Sequence, residues 1–171
     1  QWAAAGMTRK IPIVSSEFGG GNEHIILTPN ESNGIISVFG YFQELDNPAN
    51  KSFLERLHAA KVGNKVPYVT EHAEATYNAV RHWANGVTKA GDVDRMKVIE
   101  AIESGSSFES PGGVSTMDAA THHCWITPHI AVVQDKGFKI LESFERQPPS
   151  DTAAVCNLTK NPGDTKQYEI E

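Results

Sequence analysis

The residues best equipped for chemistry lie in Ser15-Ser16-Glu17-Phe18-Gly19-Gly20-Gly21, directly after the short apolar run Ile11-Pro12-Ile13-Val14. Three consecutive glycines let a backbone approach a small molecule closely. The hydroxyls of Ser15 and Ser16 and the Glu17 carboxylate can hydrogen-bond an amide or a urea NH2, and Phe18 can cover its face. A loop beyond the carboxyl end of a strand is also where open α/β sheets bind ligands. The glycines fit neither G-x-G-x-x-G nor the P-loop, which needs a Lys as well, so phosphate is not the indicated ligand. The same residues would equally serve as a solvated surface loop. Tyr41 is a further candidate, because a ring with a hydroxyl at a cleft mouth can both stack and hydrogen-bond. Core packing is the ordinary role for its cluster with Phe39 and Phe42.

His122-His123-Cys124, with His129 nearby, raises metal binding and a Cys–His nucleophile as possibilities. The spacing matches no zinc pattern: there is no C-x-x-C and no H-x3-H, and the second cysteine, Cys156, is distant. On a strand, neighbouring side chains point to opposite faces, which separates His122 from His123 and Cys124 from His123. No G-x-S-x-G elbow is present. The residues therefore indicate binding, with no catalytic group, cofactor or metal. Cys124 and Cys156 admit two readings. In an exported protein they can form one disulfide, closing a loop of about 30 residues and contributing roughly 3 kcal/mol. In a reducing compartment they are two independent thiols.

The elements that must position these residues are legible from periodicity. A chain of 171 residues suits one domain or two small lobes. Its formal charge of -6, with basic residues scattered, argues against nucleic acid as the partner. Gln1 to Gly6 reads as the last turns of a helix capped by Gly6, and the expectation is that the protein continues upstream. Ile11 to Val14 suits a buried parallel strand, and Ile35 to Phe42 a second one interrupted at Gly40. Phe53, Leu57 and Ala60 mark a helix opened near Pro48. Ala73, Tyr77, Val80, Ala84 and Val87 mark a longer one, from Thr70 to Gly91. Asp92 caps the next, with Met96, Ile99 and Ile102 as its apolar face. Ser104 to Gly113 is expected to be loop. Trp125 to Gln134 and Phe138 to Phe144 form a hairpin, with Gly137 supplying positive φ in the Asp135-Lys136-Gly137 turn. Strand–helix alternation of this kind indicates an α/β fold.

Three segments carry a family resemblance: GYFQELDNPANKSFLERLHA from Gly40, EATYNAVRHWANGVTKAGDVD from Glu74, and FESPGGVSTMDAATHHCW from Phe108. Together they resemble the C-terminal part of the periplasmic substrate-binding proteins of branched-chain-amino-acid-type ABC transporters, most closely the urea and short-chain-amide branch. The resemblance implies a type I periplasmic-binding-protein-like fold, two lobes with parallel sheets, of which this chain is the C-terminal portion. It divides the chain into a second-lobe segment at 1–40, a first-lobe helical segment at 41–121, a second-lobe hairpin at 122–146 and an irregular tail at 147–171. The lobes would cross at Gly40-Tyr41-Phe42 and at Thr121-His122-His123, making Gly40, Phe42, His122 and His123 hinge residues. Ser15, Ser16, Glu17, Phe18 and Tyr41 would touch the ligand. The implied function is periplasmic capture of a small polar solute, urea or a short amide, for ABC permease subunits. An N-terminal portion of the same protein would complete the cleft. An amide-sensing regulator on the same fold, or a branched-chain amino acid as ligand, are the alternatives it leaves open.

Overall fold

The computed structural model describes residues 1–60 and 68–169. Residues 61–67, inside the expected first-lobe segment, and 170–171, at the end of the tail, lie outside the described residues. Gln1 to Gly6 winds through hydrogen-bonded turns, and Gly6 ends them with a φ of 67°. The chain then forms β1 (Val14–Ser15), α1 (Glu23–Ile26), α2 (Pro29–Ser32) and β2 (Ile36–Phe39). Three helices follow: α3 (Pro48–Ala59), α4 (Glu71–Ala90) and α5 (Arg95–Glu103). The remainder is β3 (Ser107–Ser110), β4 (Gly113–Met117), β5 (Cys124–Trp125), β6 (His129–Gln134), β7 (Gly137–Ser143) and α6 (Ser150–Val155).

Local chemistry sets most of the helix ends. Asn47 Oδ1 accepts the Asn50 amide at 2.8 Å, and Pro48 occupies the first turn of α3 where its missing N–H is harmless. Gly91 closes α4 with a left-handed φ of 65°. Asp94, two residues later than the expected Asp92, caps α5 by accepting from Met96 N at 3.0 Å and Lys97 N at 3.2 Å. Asp92 instead accepts from Asp94 N and from the Lys97 ammonium.

Two sheets result, with strand orders β1-β2-β6-β7 and β3-β4-β5. Parallel pairing is confined to β1 and β2 among the described residues, and every other pair is antiparallel. The sheets are thus mixed rather than parallel. The reason is connectivity: β6 and β7 are joined by a hairpin, which only antiparallel strands allow. β1 is also shorter and more exposed than the apolar run suggests, since Ile11 and Val14 lie at the sheet's open edge. Ser107 to Ser110, expected in a loop, pairs with β4 in register Ser107↔Thr116, their hydroxyls 2.7 Å apart. The β6–β7 turn uses Asp135 and Lys136 at φ 52° and 69°, both left-handed, rather than Gly137. That is the two-residue geometry matching the twist of a hairpin. Asn33 supports it by accepting from Asp135 N at 2.9 Å.

The core lies between the larger sheet and α3. Phe39, Tyr41, Phe42, Phe53, Val133 and Phe138 are its buried members. Phe42 stacks between Phe39 and Phe138, with centroids 5.4 and 4.8 Å away. Such pairs add to the simple burial of their area.

Candidate functional site: a cavity on the polar face of the long helix

Helix α4 buries its polar stripe. Glu74, His82 and Gly86 are its buried residues, while Val80 and Trp83 are exposed. The neighbouring turns of β3 and β4 explain this inversion, because they offer Ser, Gly and backbone N–H partners. Glu74 Oε1 accepts from Asn78 Nδ2 at 2.7 Å, Ser110 Oγ at 3.0 Å and Gly112 N at 3.2 Å. His82 places Nδ1 2.8 Å from Ser106 Oγ and Nε2 2.9 Å from Ser115 Oγ. Buried polar groups paired in this way avoid the desolvation cost that would otherwise expel them. Gly86 is needed at the far end, since a Cβ there would lie 2.6 Å from Ile102 Cγ1.

Between α4 and the strands β4 and β5 lies a cavity of about 490 Å³. Glu71, Glu74, Asn78 and His82 form its polar side, and Trp83, Val114 and Ile126 are among its apolar walls. No Lys or Arg lines it among the described residues. Glu71 Oε1 accepts the Gly40 amide at 2.5 Å, so the cavity reaches the chain segment at Gly40. Gly112 packs its Cα side directly on the Gly40 carbonyl, leaving no room for a Cβ. Burial pushes the Glu71 carboxyl above its usual range, against the Gly40 N–H bond, and the Glu17 charge pushes the same way. Burial likewise raises Glu74, aided by the charge of Glu71. Burial holds His82 below the usual imidazole value. Asn78 Oδ1 is shut off from solvent and has no hydrogen-bond partner.

The loop singled out by its composition borders this cavity. Gly20 packs against His72, where a Cβ would meet Cε1 at 3.1 Å, and His72 lines the cavity beside Glu71. Ser15 Oγ accepts from Glu17 N at 3.0 Å and Phe18 N at 2.9 Å, so its hydroxyl organises the loop itself. Ser16 and Glu17 are exposed, and Phe18 packs on the core while its carbonyl accepts from Ser37 Oγ. Gly19, at φ +107°, lies against the Phe138 ring. Tyr41 is sealed at 1 % exposure, its hydroxyl donating to Asn50 Oδ1 at 2.9 Å. Phe42 is equally deep in the core.

The histidines diverge. His122 adopts φ 58° and sets Nε2 2.6 Å from Glu103 Oε1, whereas His123 Nδ1 meets its own neighbour's carbonyl, Thr121 O. His129 donates Nε2–H to the Gly112 carbonyl, which leaves Nδ1 to accept from Ser143 Oγ. Cys124 and Cys156 are both free thiols, so the disulfide expected between them is not formed. Cys124 is held instead at the cavity wall with Sγ 3.6 Å from His82 Nε2, while Cys156 ends α6 in the tail. Burial raises the Cys124 thiol, which keeps it protonated.

Glu71, Glu74, Asn78 and His82 were not singled out in the sequence. Their spacing along α4, three and four residues apart, is the signal that could have found them: a polar stripe as regular as the apolar one.

A fold of two sheets with the helices α3 to α5 between their strands, and a cavity that reaches Gly40, suits a class of binding proteins. The family description "periplasmic binding protein domain" matches residues 1–152, and the chain belongs to that family. Among solved structures it is similar to a solute-binding protein of an ABC transporter from R. palustris in complex with 4-hydroxybenzoate. The identity there is 30%, over 69% of this chain and 33% of that one, with a TM-score of 0.61. A solute-binding protein from Rhodopseudomonas palustris HaA2 in complex with p-hydroxybenzoic acid superposes with a TM-score of 0.68, at 24% identity over 86% of this chain and 41% of that one. A leucine binding protein from Thermotoga maritima shares the fold at a TM-score of 0.66, with 20% identity over 86% and 40%. The chain therefore spans about a third to two fifths of the length of these structures. No curated protein matches it. The fold is the type I periplasmic binding fold with mixed sheets.

Proposed function

We propose that the protein is the solute-binding component of an ABC importer, acting in the periplasm with permease subunits and capturing urea or a short-chain amide. The family membership supports the carrier role, and members of this class bind without chemistry. The observation that carries the choice of solute is the pair of carboxylates on the polar side of the cavity. Glu71 and Glu74 accept hydrogen bonds, and no Lys or Arg lines the space among the described residues. Such a site satisfies a molecule rich in N–H donors and repels a carboxylate. Glu17, on the loop Ser15 to Phe18, is exposed and close enough for its charge to act on Glu71, and serves as a further acceptor. Tyr41 contributes from behind by holding the Gly40 crossing in place through Asn50. Gly40 and Phe42 on one crossing, and His122 and His123 on the other, are the positions about which two lobes would close.

Titration calorimetry on the full-length protein tests the assignment. Urea, formamide or acetamide should bind, and benzoate, 4-hydroxybenzoate and leucine should bind more weakly. Benzoate or leucine binding with no response to any amide would overturn the choice of solute.

A further inference from the structure

Carboxylates gather at one end of the cavity, and no Lys or Arg lines it among the described residues. Glu71 and Glu74 line it, and Glu17 is near enough for its charge to oppose ionisation of Glu71. The donors that Glu74 receives are neutral, from Asn78, Ser110 and Gly112. Of the three histidines at the cavity, His72 alone offsets the group, its charge favouring the ionised form of Glu71. His82 is engaged at both ring nitrogens by serine hydroxyls in a buried setting, and His122 is turned to Glu103. His72, beside Glu71, is exposed. Buried carboxylates without a partner either take up protons or await a positive charge.

The geometry suits a ligand that brings that charge. Glu71 is anchored through Oε1 to the Gly40 amide, which fixes the orientation of the carboxylate and leaves Oε2 without a hydrogen bond among the described residues. A carboxylate held in one plane is the natural partner of a planar fork of N–H donors. Trp83 and Ile126 supply apolar surface for a small substituent, and the indole face adds attraction for a cation.

We infer that the cavity takes a small planar cation of the amidinium or guanidinium type in preference to its neutral amide or urea isostere, with Glu71 as the residue that sets the preference. This rests on the reading of the cavity as the solute site, and it changes the charge of the expected ligand while keeping its shape.

The test compares isosteres by calorimetry on the full-length protein: methylguanidinium against methylurea, and acetamidinium against acetamide, with benzoate and leucine alongside. The expected result is that each cation binds roughly tenfold tighter than its neutral partner, as when one hydrogen bond becomes charge-assisted. Glu71→Gln should lower that ratio toward one, read as the quotient of the two affinities measured on the same variant. Should the variant not fold, the wild type serves. Its preference should shrink as pH is lowered, because Glu71, flanked by Glu17, Glu74 and His72 and held by burial above the usual carboxylate range, takes up its proton. Neutral isosteres binding as tightly as the cations at neutral pH would overturn the inference and leave the amide reading standing. Binding of benzoate or leucine with no response to either isostere series would overturn both.

Discussion

Asn50 shows how a single residue can hold the segment from Tyr41 to Leu45 in place. It is 1 % exposed and uses its whole amide: Oδ1 accepts the Tyr41 hydroxyl, and Nδ2 donates to the carbonyls of Gln43 at 3.0 Å and Leu45 at 2.8 Å. Three groups on the segment after Gly40 thus depend on one side chain from α3. Removing it leaves all three buried without partners, each costing about 1–3 kcal/mol. Asn50→Ala should therefore destabilise the protein by about 3 kcal/mol or more, measured by denaturant unfolding. A loss below about 1 kcal/mol would mean that water replaces the amide and that Tyr41 is not held by this bond. Tyr41 itself illustrates the limit of residue-level reading. Its amphipathic chemistry was plain from the sequence, yet the aromatic neighbours Phe39, Phe42 and Phe53 draw it into the core.

At the scale of elements, α4 and α5 meet through a close contact at Gly86. Two effects oppose each other there. Alanine is a better helix former than glycine by about 1 kcal/mol, which favours substitution. A Cβ would, however, stand 2.6 Å from Ile102 Cγ1 and 3.1 Å from Val98 Cγ1, and overpacking costs about 1–3 kcal/mol. The clash should win, because Val98 is itself buried and cannot withdraw. Gly86→Ala is expected to lower the melting temperature, and an unchanged or raised value would show that α5 slides freely on α4. Helix boundaries were legible in sequence, from Asn47 and Pro48 at one start to Gly91 at one end. The buried face of α4 was not. Ala73, Tyr77, Val80, Ala84 and Val87 repeat convincingly, yet Val80 is 58 % exposed and Glu74 is 5 % exposed. Periodicity reports that a helix exists and is amphipathic, while the partners decide which stripe is covered.

For the whole molecule, buried ionisable groups of opposite type set the pH response. His24, His82 and His129 are held below the usual imidazole range by burial. Their contribution to stability is present above about pH 6.5 and is lost as pH falls through their depressed values. Glu71 and Glu74 are raised by burial, so their contribution is present below about pH 4.5 and is lost as pH rises through their elevated values. Between these limits the two groups act in opposite directions. His24 isolates the acid side best, because it is fully buried between Tyr68 and Phe138, with neither ring nitrogen bonded. His24→Leu should shift acid unfolding to lower pH, with a gain over wild type that grows as pH falls below about 6.5. An unchanged acid midpoint would show that His24 finds a proton acceptor on protonation, with Glu23 as the nearest candidate.

The sequence by itself determined the α/β class, the three long helices, the aromatic core at Phe39 to Phe42, and the family to which these segments belong. It could do so because caps, turns and period are local properties written within a few residues. It also singled out the loop Ser15 to Gly21 beside a strand end, whose Gly20 packs against His72 of the cavity wall while none of its own residues lines the cavity. Only the tertiary structure decided that β6 pairs antiparallel with β2, that Asp135 and Lys136 carry the hairpin turn, and that Cys124 faces His82. Above all, it decided that Glu71, Glu74, Asn78 and His82 form the polar wall of the cavity. Those choices depend on hydrogen-bond partners from Ser106, Ser110, Gly112 and Ser115, some 24 to 38 residues away along the chain. A polar stripe becomes interior only when distant groups satisfy it, and local sequence holds no record of that.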